Sequence, residues 1–173
     1  MSGRLFSYSP TRIAQDLRSA RSLVGKRLST LLHHQYYFNG ERSLGDIGSL
    51  EWHFGEQDVL SMYLLSDGES VGADSSPLEA PVSFELEPNV TCAWKRENLL
   101  ESVSATHLES TTICEVEGIL DTFKGQDSKL VGFRVTFEAG DFLIFLNQGD
   151  DAAVLINSLP PPCDYIDTRF VTF

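Results

Sequence analysis

The chain has 173 residues, 42% of them hydrophobic and 22% charged, with a formal net charge of -12. That length and balance suit one folded domain with a sizeable core, or two small lobes sharing an interface. No apolar run approaches the roughly 20 residues of a membrane helix, so a membrane-spanning protein is not expected.

The charge is unevenly placed: residues 1–43 hold seven Arg or Lys against two acids, and residues 44–173 hold six against twenty-three. Nucleic acid and anionic membranes would be repelled by such a body, whereas a basic protein surface would be attracted. The N-terminal stretch is basic but lacks an apolar core and a small-residue cleavage site, which predicts a cytoplasmic protein rather than a secreted one. Cys92, Cys114 and Cys163 are widely spaced, with no paired motif, and are expected as reduced thiols.

In chain order, SPTRIAQDLRSARSLVGKRL opens with Ser9 or Thr11 able to cap a helix and with Pro10 tolerated in its first turn. Ile13, Leu17, Ala20 and Val24 recur at helical spacing, predicting an amphipathic helix that ends near Gly25. The acidic body supplies an internal partner for its arginines. The period then changes to short aromatic and branched runs, LSTLLHHQYYF, SLEWHF and DVLSMYLL, parted by NGERS, GEQ and SDGE, which is strand and turn chemistry. DVLSMYLL is apolar on both faces and is expected to be a covered central strand.

ADSSPLEAP reads as a linker, VSFELEP as a strand by alternation with Val82, Phe84 and Leu86 on one face, and Glu97 to Val103 as a short helix. Four further strands are expected in TTICEVEGILDTF, LVGFRVTF, DFLIFLN and AAVLIN. The tail, SLPPPCDYIDTRFVTF, predicts an extended proline segment and a last strand.

FGEQDVLSMYLL is echoed by FEAGDFLIFLNQ. At an offset of 83, Phe54, Asp58, Leu60, Asp67 and Val71 meet identical residues, five identities in eighteen pairs. Upstream, an offset of 85 matches Leu23 to Leu108, Leu28 to Ile113, Phe38 to Phe123, Gly40 to Gly125 and Ser43 to Ser128. The expected fold is therefore α+β, mainly β: two related antiparallel meanders packed together, with an N-terminal helix and a short helix between the copies. Within a single domain the boundaries are a basic helix over 1–22, a first repeat over 23–76, a linker strand and short helix over 77–104, a second repeat over 105–157, and a tail over 158–173.

Catalytic signals are absent. His33 and His34 are adjacent and point to opposite faces of a strand; His53 faces away from Trp52 and Phe54; His107 stands alone. There is no HExxH, no nucleophile elbow and no phosphate loop, so no enzyme activity, cofactor or metal is expected. Asp58 and Asp141 open strands after tight turns and read as structural.

The text LVGKRLSTLL with LEWHFGEQDVLSMYLLSDGESV, and again HLESTTICEVEG with FRVTFEAGDFLIFLNQGDDAAVLIN, resembles the small cytoplasmic immunity proteins of bacterial polymorphic toxin systems. The resemblance spans most of residues 23–157 and implies stoichiometric neutralisation of a cognate toxin, with no turnover. A basic toxin domain fits the acidic body as partner. The expected contact set is the acids of the turns on one edge of the two copies: Asp67, Glu69 and Asp74 from the first, Asp150 and Asp151 from the second. Two other readings stand beside it: an acidic adaptor or self-assembling subunit joined through strand edges, and a small-ligand binder or enzyme using the seam between the repeats.

Overall fold

A computed structural model of the protein describes residues 9–172; residues 1–8 of the basic segment, Arg4 among them, and Phe173 lie outside the described residues. The first helix, α1, spans Pro10–Arg21, with the Ser9 hydroxyl accepting from the Arg12 amide at 3.1 Å and Pro10 in the first turn. Leu17 and Ala20 are buried as the spacing predicts, but the buried residue that follows is Leu23. Val24 is 42% exposed, because the helix stops three residues earlier and the chain leaves helical phase before it is reached.

Twelve strands follow among the described residues: β1 (Thr30–Phe38), β2 (Glu41–Arg42), β3 (Leu50–Phe54), β4 (Asp58–Leu64), β5 (Val71–Asp74), β6 (Phe84–Glu87), β7 (Val90–Asn98), β8 (Ile113–Phe123), β9 (Lys129–Phe137), β10 (Phe142–Asn147), β11 (Ala152–Ile156) and β12 (Ile166–Val171). A short helix, α2, occupies Leu99–Ser102 between the copies, its first amides received by the Asn98 side chain. All strand pairing is antiparallel: one sheet has the order β5-β4-β3-β1-β7-β6, with β2 on β1, and the other β11-β10-β9-β8-β12.

The order of the second sheet repeats the first five strands of the first, and β6 and β2 have no counterpart. Strand pairing recovers the two offsets read from the sequence: Leu31 lies opposite Trp52 and Trp52 opposite Leu60, while Val116 lies opposite Val135 and Val135 opposite Leu143. The first strand of each copy thus repeats at 85 and the next two at 83. The equivalence extends one strand beyond the text match, since β7 sits on β1 as β12 sits on β8. The fourth strands depart from it. Leu64 pairs with Val71 but Asn147 with Ala152, so the turn after β4 is two residues longer than the turn after β10, and Val71 corresponds to buried Ala152 rather than to Val154.

Alternation sends Leu31, Trp52, Leu60, Met62 and Ala73 of one sheet, and Val116, Val135, Leu143, Phe133 and Phe145 of the other, into a single core that α1 and α2 also enter. Each repeat therefore hides its apolar face against its counterpart. Equivalent residues also meet directly where the copies enter: Arg27 and Thr112, 85 positions apart, form an antiparallel bridge, flanked by Gly25 N–H to Ile113 O at 2.8 Å and Leu28 N–H to Thr111 O at 2.9 Å. A residue pairing with its own counterpart marks an approximate two-fold axis between the sheets.

The linker ADSSPLEAP is packed rather than loose. Ser61 Oγ donates to Ser76 O at 2.6 Å, Arg96 reaches Leu78 O, and Leu78 buries against Tyr63 and Leu65 on the outer face of the first sheet.

Candidate functional site

The acidic turns of the two copies are in contact. Two chain reversals deliver residues 65–70 and 148–151 to the same end of the sandwich, and the Asp150 amide donates to Gly68 O at 3.1 Å and to Asn147 Oδ1 at 3.2 Å. Asn147, 8% exposed, donates from Nδ2 to Ser70 O at 3.1 Å and ties the turns together from below. Gly68, Gly149 and Asp150 all have φ near +70°, the left-handed region that lets both turns reverse tightly enough to touch.

The acids named from the sequence divide by what they do there. Asp67 is committed to its own turn, its carboxylate receiving the Glu69 amide at 2.9 Å, the Ser70 amide at 2.8 Å and the Ser70 hydroxyl at 2.7 Å. Glu69 crosses between copies to an ion pair with Lys129 of β9. Asp150 and Asp151 are exposed, and among the described residues neither side chain has an ion-pair partner. Asp74 is not part of the group. It ends β5, away from the turn that begins that strand, and accepts from the Tyr63 hydroxyl at 2.8 Å and the Ser76 amide at 2.9 Å. Burial, reinforced by that Asp74 contact, pushes the Tyr63 phenol far above its usual range.

Beside the paired turns lies an open cleft of about 340 Å³ lined by Glu69, Lys129, Asp121, Asp127, Gln126 and Asn147, with Phe123, Val131 and Ile166 as its apolar wall. Sequence reasoning placed Glu69 at the site and missed Asp121 and Asp127. Their signal was available: Asp127 lies in the KGQDS turn, and the first copy's β1–β2 turn marks the same end of its sheet.

A second polar cluster lies on the outer face of the first sheet. Glu51, 2% exposed, accepts from His34 Nε2 at 3.2 Å, Arg96 at 3.0 Å and His53 Nε2 at 3.2 Å. Burial works to raise the Glu51 carboxyl, but the His53, Arg96 and His34 contacts outweigh it and leave the group below its ordinary value. Burial lowers His34 despite the Glu51 bond. His33 points to the other face, where Nδ1 donates to Ile47 O at 2.8 Å. Alternation in LEWHF already put Glu51 and His53 on one face; the missing element was the register that lays His34 on the adjoining strand.

Comparison with known proteins finds no matching family model, no matching curated protein and no matching solved structure. The geometry therefore carries the functional reading alone. Among the described residues no three His, Cys, Asp or Glu side chains are grouped to hold a metal ion, and no helix is long and apolar enough to cross a membrane. Cys92 is buried with the Tyr36 hydroxyl 3.2 Å from its sulfur, while Cys114 and Cys163 are exposed; all three are free thiols.

Among the described residues three cations on the second sheet are paired internally, while Lys124, in the same turn as Asp127, is exposed and has no ion-pair partner. Lys129 pairs with Glu69, Arg134 with Glu117 and Arg169 with Asp167. An end that presents several exposed carboxylates can attract and orient basic side chains.

Proposed function

We propose that this chain is a stoichiometric inhibitor of a basic protein, an immunity protein acting in the cytoplasm on a cognate toxin, which works by covering its partner and catalyses nothing. The observation that carries the reading is the contact between the acidic turns of the two repeats, Gly68 O to Asp150 N–H, beside a cleft walled by acids. Asp150, Asp151 and Asp127 face solvent around it. A lysine or arginine entering there would lay its alkyl stem along Phe123, Val131 and Ile166 and leave its charge among Asp121, Asp127 and Glu69.

The same surface repels phosphate backbones and anionic lipids, so the partner is a protein and not a nucleic acid or a membrane. A rigid acidic end speeds encounter with a basic surface and competes with phosphate for it. The test begins with the basic protein that co-purifies with the chain from its native host. Charge reversal of Asp127, Asp150 and Asp151 together is expected to weaken that complex by about a hundredfold, with a shallower dependence on salt. Unchanged affinity would sink the proposal.

A further inference from the structure

We infer that β6 is a docking strand, which takes an extended basic segment of a partner protein by strand addition. The inference is independent of the acidic turns, since it rests on the opposite edge of the first sheet.

The strand edges of this molecule are not alike. The β5 edge is covered by α1, whose Asp16 accepts the Ala73 amide at 3.1 Å. Beside β11 the 43–49 loop lays the Ile47 amide on Ala152 O at 2.9 Å, and Asp46 takes the Ala152 amide at 2.9 Å. The β12 edge is polar along Asp167, Thr168 and Arg169, with an Arg169–Asp167 ion pair at 2.7 Å. Covering and charging are usual protections of an edge, and β6 has its own in Glu85 and Glu87 with a register shift between them.

Only β6 among these edges carries large apolar side chains in the open. It closes the sheet order, and Phe84 is 48% exposed, Leu86 62% and neighbouring Val82 85%. Register places Phe84 and Phe38 on either side of Cys92, and Phe38 is 45% exposed. Phe84, Trp94 and Tyr36 form a row with ring centroids 6.0 and 5.0 Å apart. An aromatic row leading to an open strand edge is the geometry of strand addition, in which the main chain supplies the hydrogen bonds and alternate side chains find the apolar surface.

Charge selects the occupant. Glu85 and Glu87 of β6 and Glu79 before it are exposed and have no ion pair among the described residues. The nearest cations are engaged elsewhere: Lys95 lies 4.5 Å over the Tyr37 ring, and Arg96 is bound to Glu51 and Leu78 O. A second copy pairing edge to edge would bring Glu85 and Glu87 against the same acids, which opposes pairing. Across the register shift Glu87 lies opposite Val90 and shares a face with Phe84, opposite Cys92, while Glu85, opposite Thr91, faces away. A strand that carries apolar residues for the aromatic row and Lys or Arg for the glutamates satisfies both.

The experiment uses the full chain with a synthetic peptide of alternating Lys and Val as probe, at physiological salt, reading affinity and backbone hydrogen exchange. Exchange at residues 84–87 is expected to slow when the peptide is bound. E85Q/E87Q and F84S/L86S are each expected to weaken binding about tenfold, and D150N/D151N to change it less than about twofold. Equal binding of an alternating Glu and Val peptide overturns the inference. So does protection at the 65–70 and 147–151 turns in place of β6, or protection of β6 by self-association without peptide.

Discussion

Asp67 and Asp151 are both exposed acids in the same pair of turns, yet among the described residues one side chain holds three hydrogen bonds and the other none. Asp67→Ala is expected to lower stability by about 1–3 kcal/mol, since two turn amides lose their acceptor, whereas Asp151→Ala should stay within about 0.5 kcal/mol; urea denaturation of the two variants decides it. Gly68→Ala, at φ +75 with a Cβ 2.7 Å from Asp150 Oδ1, should cost about 1–2 kcal/mol. Asp150→Ala in that background is expected to leave most of the loss in place, because the strain is in the backbone and the carboxylate can swing away. The buried histidines add a pH dependence with a definite sign. His33 and His34 are both held below their ordinary 6.5 by burial, so as pH falls through that value the unfolded chain takes up protons that the folded chain refuses. Their contribution is full above pH 6.5 and is lost as pH falls toward the depressed folded values; Glu51, held below its ordinary 4.5, adds a second loss at more acidic pH. The urea midpoint should therefore fall between pH 7.5 and 5.5, and His34→Gln should flatten that slope. A slope unaltered in the variant would remove His34 from the account.

Helix α1 is joined to the first sheet by a charged side chain as much as by its apolar stripe. Asp16, 2% exposed, accepts from Arg12 Nε at 2.9 Å and from the Ala73 amide of β5, and Arg12 goes on to donate to the Tyr63 hydroxyl at 2.8 Å. Asp16→Ala leaves a buried strand amide and a half-buried guanidinium without their acceptor and is expected to cost about 2–4 kcal/mol, read by thermal or urea unfolding. The sequence assigned the arginines of α1 to the acidic body; for Arg12 the acid is instead Asp16, one turn along the same helix, and the body contributes the Tyr63 hydroxyl. Most of the strands, the repeat and its change of offset from 85 to 83 were legible, because a period of two with glycine turns survives in the text wherever one face is buried; β7 was not, and its last residues, Glu97 and Asn98, lie where the sequence put the start of the short helix. Legibility failed where length, not pattern, decides. Val71 and Val154 are identical and out of register, since the turn before Val71 has two extra residues. VSFELEP alternates as a strand should, yet all four residues of β6 are exposed, because alternation reports a strand with two different faces and says nothing about whether a layer lies over either. The acidic turns could be named from the sequence, but Asp74 could not be separated from them until β5 put its length between that residue and the turn.

At the scale of the whole molecule, duplication and charge combine. An approximate two-fold axis brings like to like, so the repeat that hides its apolar face against its twin also brings its acidic turn against its twin's. The fold accepts that repulsion by holding the contact through main-chain atoms, Gly68 O and the Asp150 amide, with Asn147 bridging to Ser70 O. Repulsion of this kind is long-ranged and screened by salt, whereas a short ion pair such as Arg12–Asp16, with side chains 14% and 3% exposed, is screened much less. With a net charge of -12, the balance should favour screening: raising NaCl from 0.05 to 0.5 M is expected to raise the melting temperature by a few degrees, which corresponds to about 1 kcal/mol for a chain of this size. Neutralising Asp150 and Asp151 to asparagine should raise the low-salt melting temperature and shrink the salt effect together. If salt instead lowers the melting temperature, attractive pairs dominate the surface. Under the proposed function, a basic surface that covers this acidic end relieves part of its repulsion, and the complex is then expected to be more stable toward heat than the free chain by more at low salt than at high.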